Sequence, residues 1–80
     1  MNMEESLLWD KIWVSLKADL RENIHKMEVE FGKDTLGPCV YVRVKLNKGF
    51  AFEILDTLKR KIQRLVDVEQ PDLVSYIRFL

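Results

Sequence analysis

The sequence predicts an α+β fold, with two helices on one face of a three-stranded sheet in the order α-β-β-α-β, within one domain spanning residues 1–80. Three observations predict it. Apolar residues recur at every fourth position near the start, two central stretches alternate apolar with polar residues, and a second helical pattern precedes a closing run of branched and aromatic residues.

Leu8, Ile12, Leu16, Leu20 and Ile24 recur at intervals of four, with Trp9 and Trp13 beside them. This spacing predicts a first helix from Glu4 to about Asn23. Ser6 is a candidate N-cap, and Glu4 and Glu5 suit a first turn by complementing the helix dipole. Beyond Ile24 the period changes. HKMEVEF alternates Met27, Val29 and Phe31 with Lys26, Glu28 and Glu30, and CVYVRVKL alternates Val40, Val42, Val44 and Leu46 with Tyr41, Arg43 and Lys45. Each reads as a strand with one wet face. The intervening GKDTLGP holds two glycines and a proline and reads as the loop of an antiparallel hairpin. Any register that aligns the apolar sets also places Glu28 and Glu30 on the same outer face as Arg43 and Lys45, an attraction that favours the pairing.

Phe50, Ile54, Leu58, Ile62 and Leu65 return to helical spacing, with Asn47 as a plausible N-cap, and predict a second helix ending near Asp67. The competing reading takes Asn47-Lys48-Gly49 as a tight turn into a strand through Phe50, Phe52 and Ile54. It shortens the helix to about a dozen residues and leaves the longer periodicity unused, so the helix is preferred. Glu69-Gln70-Pro71-Asp72 reads as a turn because proline cannot continue a helix, and LVSYIRFL as a closing strand.

Eighty residues bury only about 60% of the surface the unfolded chain exposes, so the core must be thin. Thirteen basic residues balance thirteen acidic ones, so no whole-molecule field draws in nucleic acid or a membrane surface. No apolar run approaches the roughly 20 residues of a membrane span, and the acidic start MNMEESLL does not resemble a secretory signal. A single cysteine fits a reducing compartment, and the expected location is cytoplasmic.

Chemistry-bearing patterns are few. His25 and Cys39 are the only histidine and cysteine, short of the roughly four ligands of a structural zinc site, so neither a metal nor a cofactor is expected. A Cys39–His25 nucleophilic pair lacks a helix N-terminus to lower the thiol pKa. The three glycines are scattered and form no phosphate loop. The expectation is therefore a binding protein, not an enzyme, with no small-molecule substrate and no membrane partner. Lys59, Arg60, Lys61 and Arg64 form the one concentrated charge. They either complement the C-terminal end of the second helix's dipole or make weak contact with nucleic acid. On the first helix, Leu8, Trp9, Ile12, Trp13, Leu16 and Leu20 fill an arc sufficient for the core. Leu7, Val14 and Ala18 fall on the far side, where a partner helix or a second copy would use them. Trp9, at the edge of the core arc, can serve both.

The segment LLWDKIWVSLKADL resembles the opening of the N-terminal domain of the bacterial replication initiator DnaA, an amphipathic helix of form LWxxxxxxLxxxL. Leu8, Trp9, Leu16 and Leu20 occupy its positions. LNKGFAFEILDTLKRKI is similar to that family's P-N-x-F-A-x-x-W-L segment at Asn47, Phe50, Ala51, Ile54 and Leu55, with Leu46 in place of the proline and one residue added. DLVSYIRFL resembles the family's closing strand. The resemblance implies a small K-homology-like domain that self-associates through the start of helix one and recruits a replicative helicase and regulators during replication initiation. Leu8 and Trp9 would then be self-association residues and Phe50 a helicase contact. The family also carries a short second helix with a buried tryptophan before the hairpin, whereas the helix expected here leaves only RENIH in that place, with a longer hairpin loop.

Overall fold

The computed structural model describes residues 2–80. Its elements are α1 (Met3–Ser15), α2 (Ala18–Arg21), β1 (Ile24–Asp34), β2 (Gly37–Leu46), α3 (Ile54–Glu69) and β3 (Val74–Phe79). The class is α+β, as the patterning predicts, with a mixed three-stranded sheet ordered β1-β2-β3. β1 and β2 run antiparallel, and β3 returns through α3 to lie parallel to β2.

The first helix is shorter than its apolar spacing suggests. It begins at Met3, one residue before the expected Glu4, and Asn2 rather than Ser6 is the N-cap: the Asn2 side chain accepts from the Glu5 N–H and the Glu5 carboxylate accepts from the Asn2 N–H, both at 2.8 Å. Ser6 therefore lies inside the helix. The expected run to Asn23 fails because Leu16 and Lys17 are extended, with ψ of 136° and 158°. Arg21 holds this break. Its guanidinium donates to the carbonyls of Trp13 at 2.9 Å and Val14 at 3.0 Å, satisfying acceptors that a helix end leaves open. The four-residue α2 follows, and the kink still turns both Leu16 and Leu20 inward.

The hairpin follows the predicted alternation. Met27, Val29 and Phe31 lie opposite Val44, Val42 and Val40, and Glu28 lies opposite Arg43. The strands run further than the glycines and proline suggest, leaving a turn of only Thr35 and Leu36 in place of a long loop. Asp34 Oδ1 accepts from the Leu36 N–H at 2.8 Å, and Gly37 takes φ +113°, which side chains rarely adopt. Pro38 is tolerated in a central strand because the ladder to β3 starts only at Cys39.

The second predicted helix starts six residues late, with Glu53 in place of Asn47 before its first turn. Residues 47–53 form a connection of turns, with Gly49 at φ +81°. Asn47 does not cap α3: its amide donates to the Glu22 carbonyl at 2.7 Å and its backbone N–H to Asn23 at 2.8 Å, fastening this connection to the end of α2. Phe50 thus lies outside any helix. Val40, Val42 and Val44 on β2 meet Leu8, Ile12 and Leu16 from one side and Leu58, Ile62 and Val66 from α3, and these residues are all buried. Each such side chain contributes about 1.5–3 kcal/mol relative to leaving it in water. Both long helices cover this face and leave the other open.

Candidate protein-interaction surface

α1 is positioned by its contacts with the free edge of β1. Glu5 is largely buried; one carboxylate oxygen accepts from Asn2, and the other accepts from the Phe31 N–H at 2.8 Å. These backbone N–H groups, Asn2 first and then Phe31, hold its carboxyl below the usual range. Trp9 donates its indole N–H to the Met27 carbonyl at 2.7 Å and stacks on Trp13 with ring centroids 5.2 Å apart. On the other flank Lys11 pairs with Glu69 of α3 at 2.7 Å.

With three sides of α1 so engaged, the fourth faces solvent and carries Met3, Leu7 and Val14, which are 79%, 54% and 72% exposed. At about 100° per residue these three fall within roughly 40° of one another on the helix wheel. Leu7 and Val14 are the outward residues the spacing picks out. Met3 extends the same line by one turn; its position four residues before Leu7 is the signal that finds it. Ala18 is exposed too but sits on α2 beyond the kink, so it does not continue the stripe.

The resemblance-based candidates fare differently. Leu8 is 2% exposed and belongs to the core, so as the molecule stands it offers nothing to a partner. Trp9 is partly buried, with its polar atom already committed to Met27. Phe50 is half-buried on the 47–53 connection, and Phe52 beside it is largely exposed.

The basic run on α3 gathers in part: Lys59, Arg60 and Arg64 line one depression together with Asp56 and Asp67. Lys59, Arg60 and Arg64 are exposed, but the helical turn spreads the four residues over about 200° of the wheel. Asp56 pairs with Arg60 at 2.9 Å, and Asp67 interrupts the same surface. Lys61 and Arg64 border a shallow apolar groove with Ser15, Leu65 and Val68 between α3 and the end of α1.

Cys39 is fully buried opposite Gly32, whereas His25 is exposed at the start of β1. Seven residues of strand separate Gly32 from His25, about 23 Å, so thiol and imidazole form no pair. Among the described residues no three His, Cys, Asp or Glu side chains converge as a metal site would require, and no helix is long and apolar enough to cross a membrane. Comparison with protein-family models, curated proteins and solved structures finds no match to this chain.

Proposed function

We propose that this chain is a protein-interaction domain that pairs with a second copy of itself through the outer side of α1. The observation that carries this reading is the line of Met3, Leu7 and Val14. Single exposed apolar residues are ordinary, but three on one side of one helix, flanked by charged Asp10 and Lys11, have the layout of an apolar centre with a polar rim. A twofold pair of helices would bury the stripe against its own copy.

The likeness to the replication initiator's N-terminal module gives this reading a biological setting: a domain that multimerises and recruits a replicative helicase or a regulator. The chain order α-α-β-β-α-β supports it, because a short helix does stand between α1 and the hairpin, as in that family. No tryptophan occupies that helix, whose sequence is Ala18-Asp19-Leu20-Arg21. The helicase contact would then fall to the 47–53 connection around Phe50.

Sedimentation velocity over a concentration series tests the pairing. The wild-type chain is expected to sediment faster as concentration rises, while Leu7→Lys with Val14→Lys stays monomeric with an unchanged circular dichroism spectrum. A wild-type chain that remains monomeric at the highest concentrations, or a double variant that associates equally well, contradicts the proposal.

A further inference from the structure

The face of the sheet turned away from both helices carries a second pattern, independent of α1. In the parallel register Tyr41 lies beside Tyr76, and two residues further along Arg43 lies beside Arg78. The two rings stack with centroids 5.3 Å apart and planes 20° from parallel. The Tyr41 ring leans over Gly32, where a Cβ would come within 3.4 Å of it, so the glycine leaves room for the ring to lie low on the sheet. The stack is anchored at one end, where the Tyr76 hydroxyl donates to Asp34. The Arg43 guanidinium lies 5.4 Å from the Tyr41 ring centre.

Folding accounts for Arg43, which faces Glu28 across the hairpin, but not for Arg78 beside it. Like charges directly opposite on neighbouring strands are destabilising. Arg43 pairs across the strands with Glu30 at 3.7 Å and Glu28 at 4.0 Å, whereas Arg78 is exposed and makes no ion pair among the described residues. A depression of about 440 Å³ lies here, lined by Glu30, Gly32, Lys33, Tyr41, Arg43 and Arg78, three cations against one anion.

We propose that this open sheet face binds single-stranded nucleic acid, with bases stacking on the Tyr41–Tyr76 platform and backbone phosphates held by Arg43 and Arg78. Flat aromatic rings beside guanidinium groups suit a ligand that alternates π-faces with negative charges, as a single strand does. The aromatic and arginine rows are two residues apart along the strand, about 7 Å, which is the reach from a base to its own phosphate. A duplex cannot use the platform, because its bases are already stacked. Glu28 and Glu30 on β1 repel a polyanion from that side and confine its path to β2 and β3. The site lies on the opposite side of the sheet from the helices, so binding does not depend on the pairing of α1.

Fluorescence anisotropy with labelled oligothymidine and oligouridine of about 12 nucleotides, and with a duplex of equal length, tests the assignment. Both single strands are expected to bind more tightly than the duplex at low salt, and their ratio separates DNA from RNA as the preferred source. Arg43→Gln and Arg78→Gln should each reduce the log–log salt slope by about 0.7. Tyr41→Leu should weaken binding at least fivefold, as loss of about 1 kcal/mol of stacking predicts. Should Tyr41→Leu fail to fold, the two arginine variants, at the half-buried Arg43 and the exposed Arg78, decide the matter alone. Arg60→Gln with Arg64→Gln on α3 should change nothing. Absence of single-strand binding at low salt, equal affinity for the duplex, or loss of binding in the α3 variant but not in the arginine variants of the sheet overturns the proposal.

Discussion

The indole N–H of Trp9 donates a 2.7 Å hydrogen bond to the backbone carbonyl of Met27, on the free edge of β1. Together with the Glu5 carboxylate on the Phe31 N–H, it means that α1 closes one of the two open edges of the sheet. An uncovered strand edge is a template for unwanted pairing, and its unmet backbone groups are costly once water is excluded. The helix that carries the exposed Met3, Leu7 and Val14 is thus locked in orientation by its opposite side.

Trp9→Phe keeps most of the ring's packing and removes the donor. Leaving the Met27 carbonyl unpaired should cost about 1–2 kcal/mol, seen as a lower urea midpoint with an unchanged slope. An unaltered midpoint would show that water replaces the indole without loss.

Arg21→Ala removes the guanidinium that satisfies the last carbonyls of α1 and lies 5.8 Å from the Trp13 ring centre. Hydrogen bonds from charged groups predict a loss of about 1.5–3 kcal/mol. Amide hydrogen exchange should accelerate first around residues 13–21. If exchange rises evenly across the chain, the arginine does not hold the kink.

Leu7 and Leu8 are neighbours with opposite fates. Leu8→Ala opens a cavity among Ile12 and the strand valines and should cost about 2–5 kcal/mol. Leu7→Ala should stay within about 0.5 kcal/mol of wild type in a chemical denaturation dilute enough to keep the chain monomeric. Equal losses would place both side chains in the core.

Tyr76 has its hydroxyl pKa pushed up to about 12 from 10.0, chiefly because the hydroxyl donates to the Asp34 carboxylate, and Asp34 is correspondingly lowered. A folded-state pKa above the unfolded one means that the stabilisation is complete below pH 10 and is lost as pH rises through about 12. For Asp34 the stabilisation is present above its unfolded value of 3.8 and is lost as pH falls through the lowered folded value. Tyrosinate absorbance should show neither tyrosine ionising at its ordinary value in the native protein, since Tyr41 is also raised, first by its contact with Cys39. Asp34→Asn should bring one of the two transitions down. Two ordinary transitions in the wild type would exclude the hydrogen bond.

The strands were legible because a half-buried strand records its two faces in its own alternation, and the charges agreed with the shared outer face of Glu28 and Arg43 without singling out one register. The end of α1 was not legible. Leu16 and Leu20 keep their fourfold spacing across two extended residues, and the group that ends the helix, Arg21, comes after the break. The start of α1 was legible to within a residue, but its cap was not: Asn2 and Glu5 had the spacing of a capping pair, while Ser6 offered the more familiar cap residue. At α3, Phe50 matched the helical period while lying in turns, because a residue near an end can match a period by chance. The stripe on α1 was visible in part, through Leu7 and Val14. The tyrosine and arginine rows were hidden, because alternation gives the face of a residue and not the strand that lies beside it.

The most direct measurement of the pairing is a nuclear magnetic resonance dilution series on the labelled chain. On concentration, the amide and methyl signals of Met3, Leu7 and Val14 should shift together with their neighbours on α1, while Leu58, Ile62 and the tyrosine rows stay fixed. Signals that do not move between dilute and concentrated samples, or that move only on α3 or the sheet, would show that the outer side of α1 is not where this protein meets its own copy.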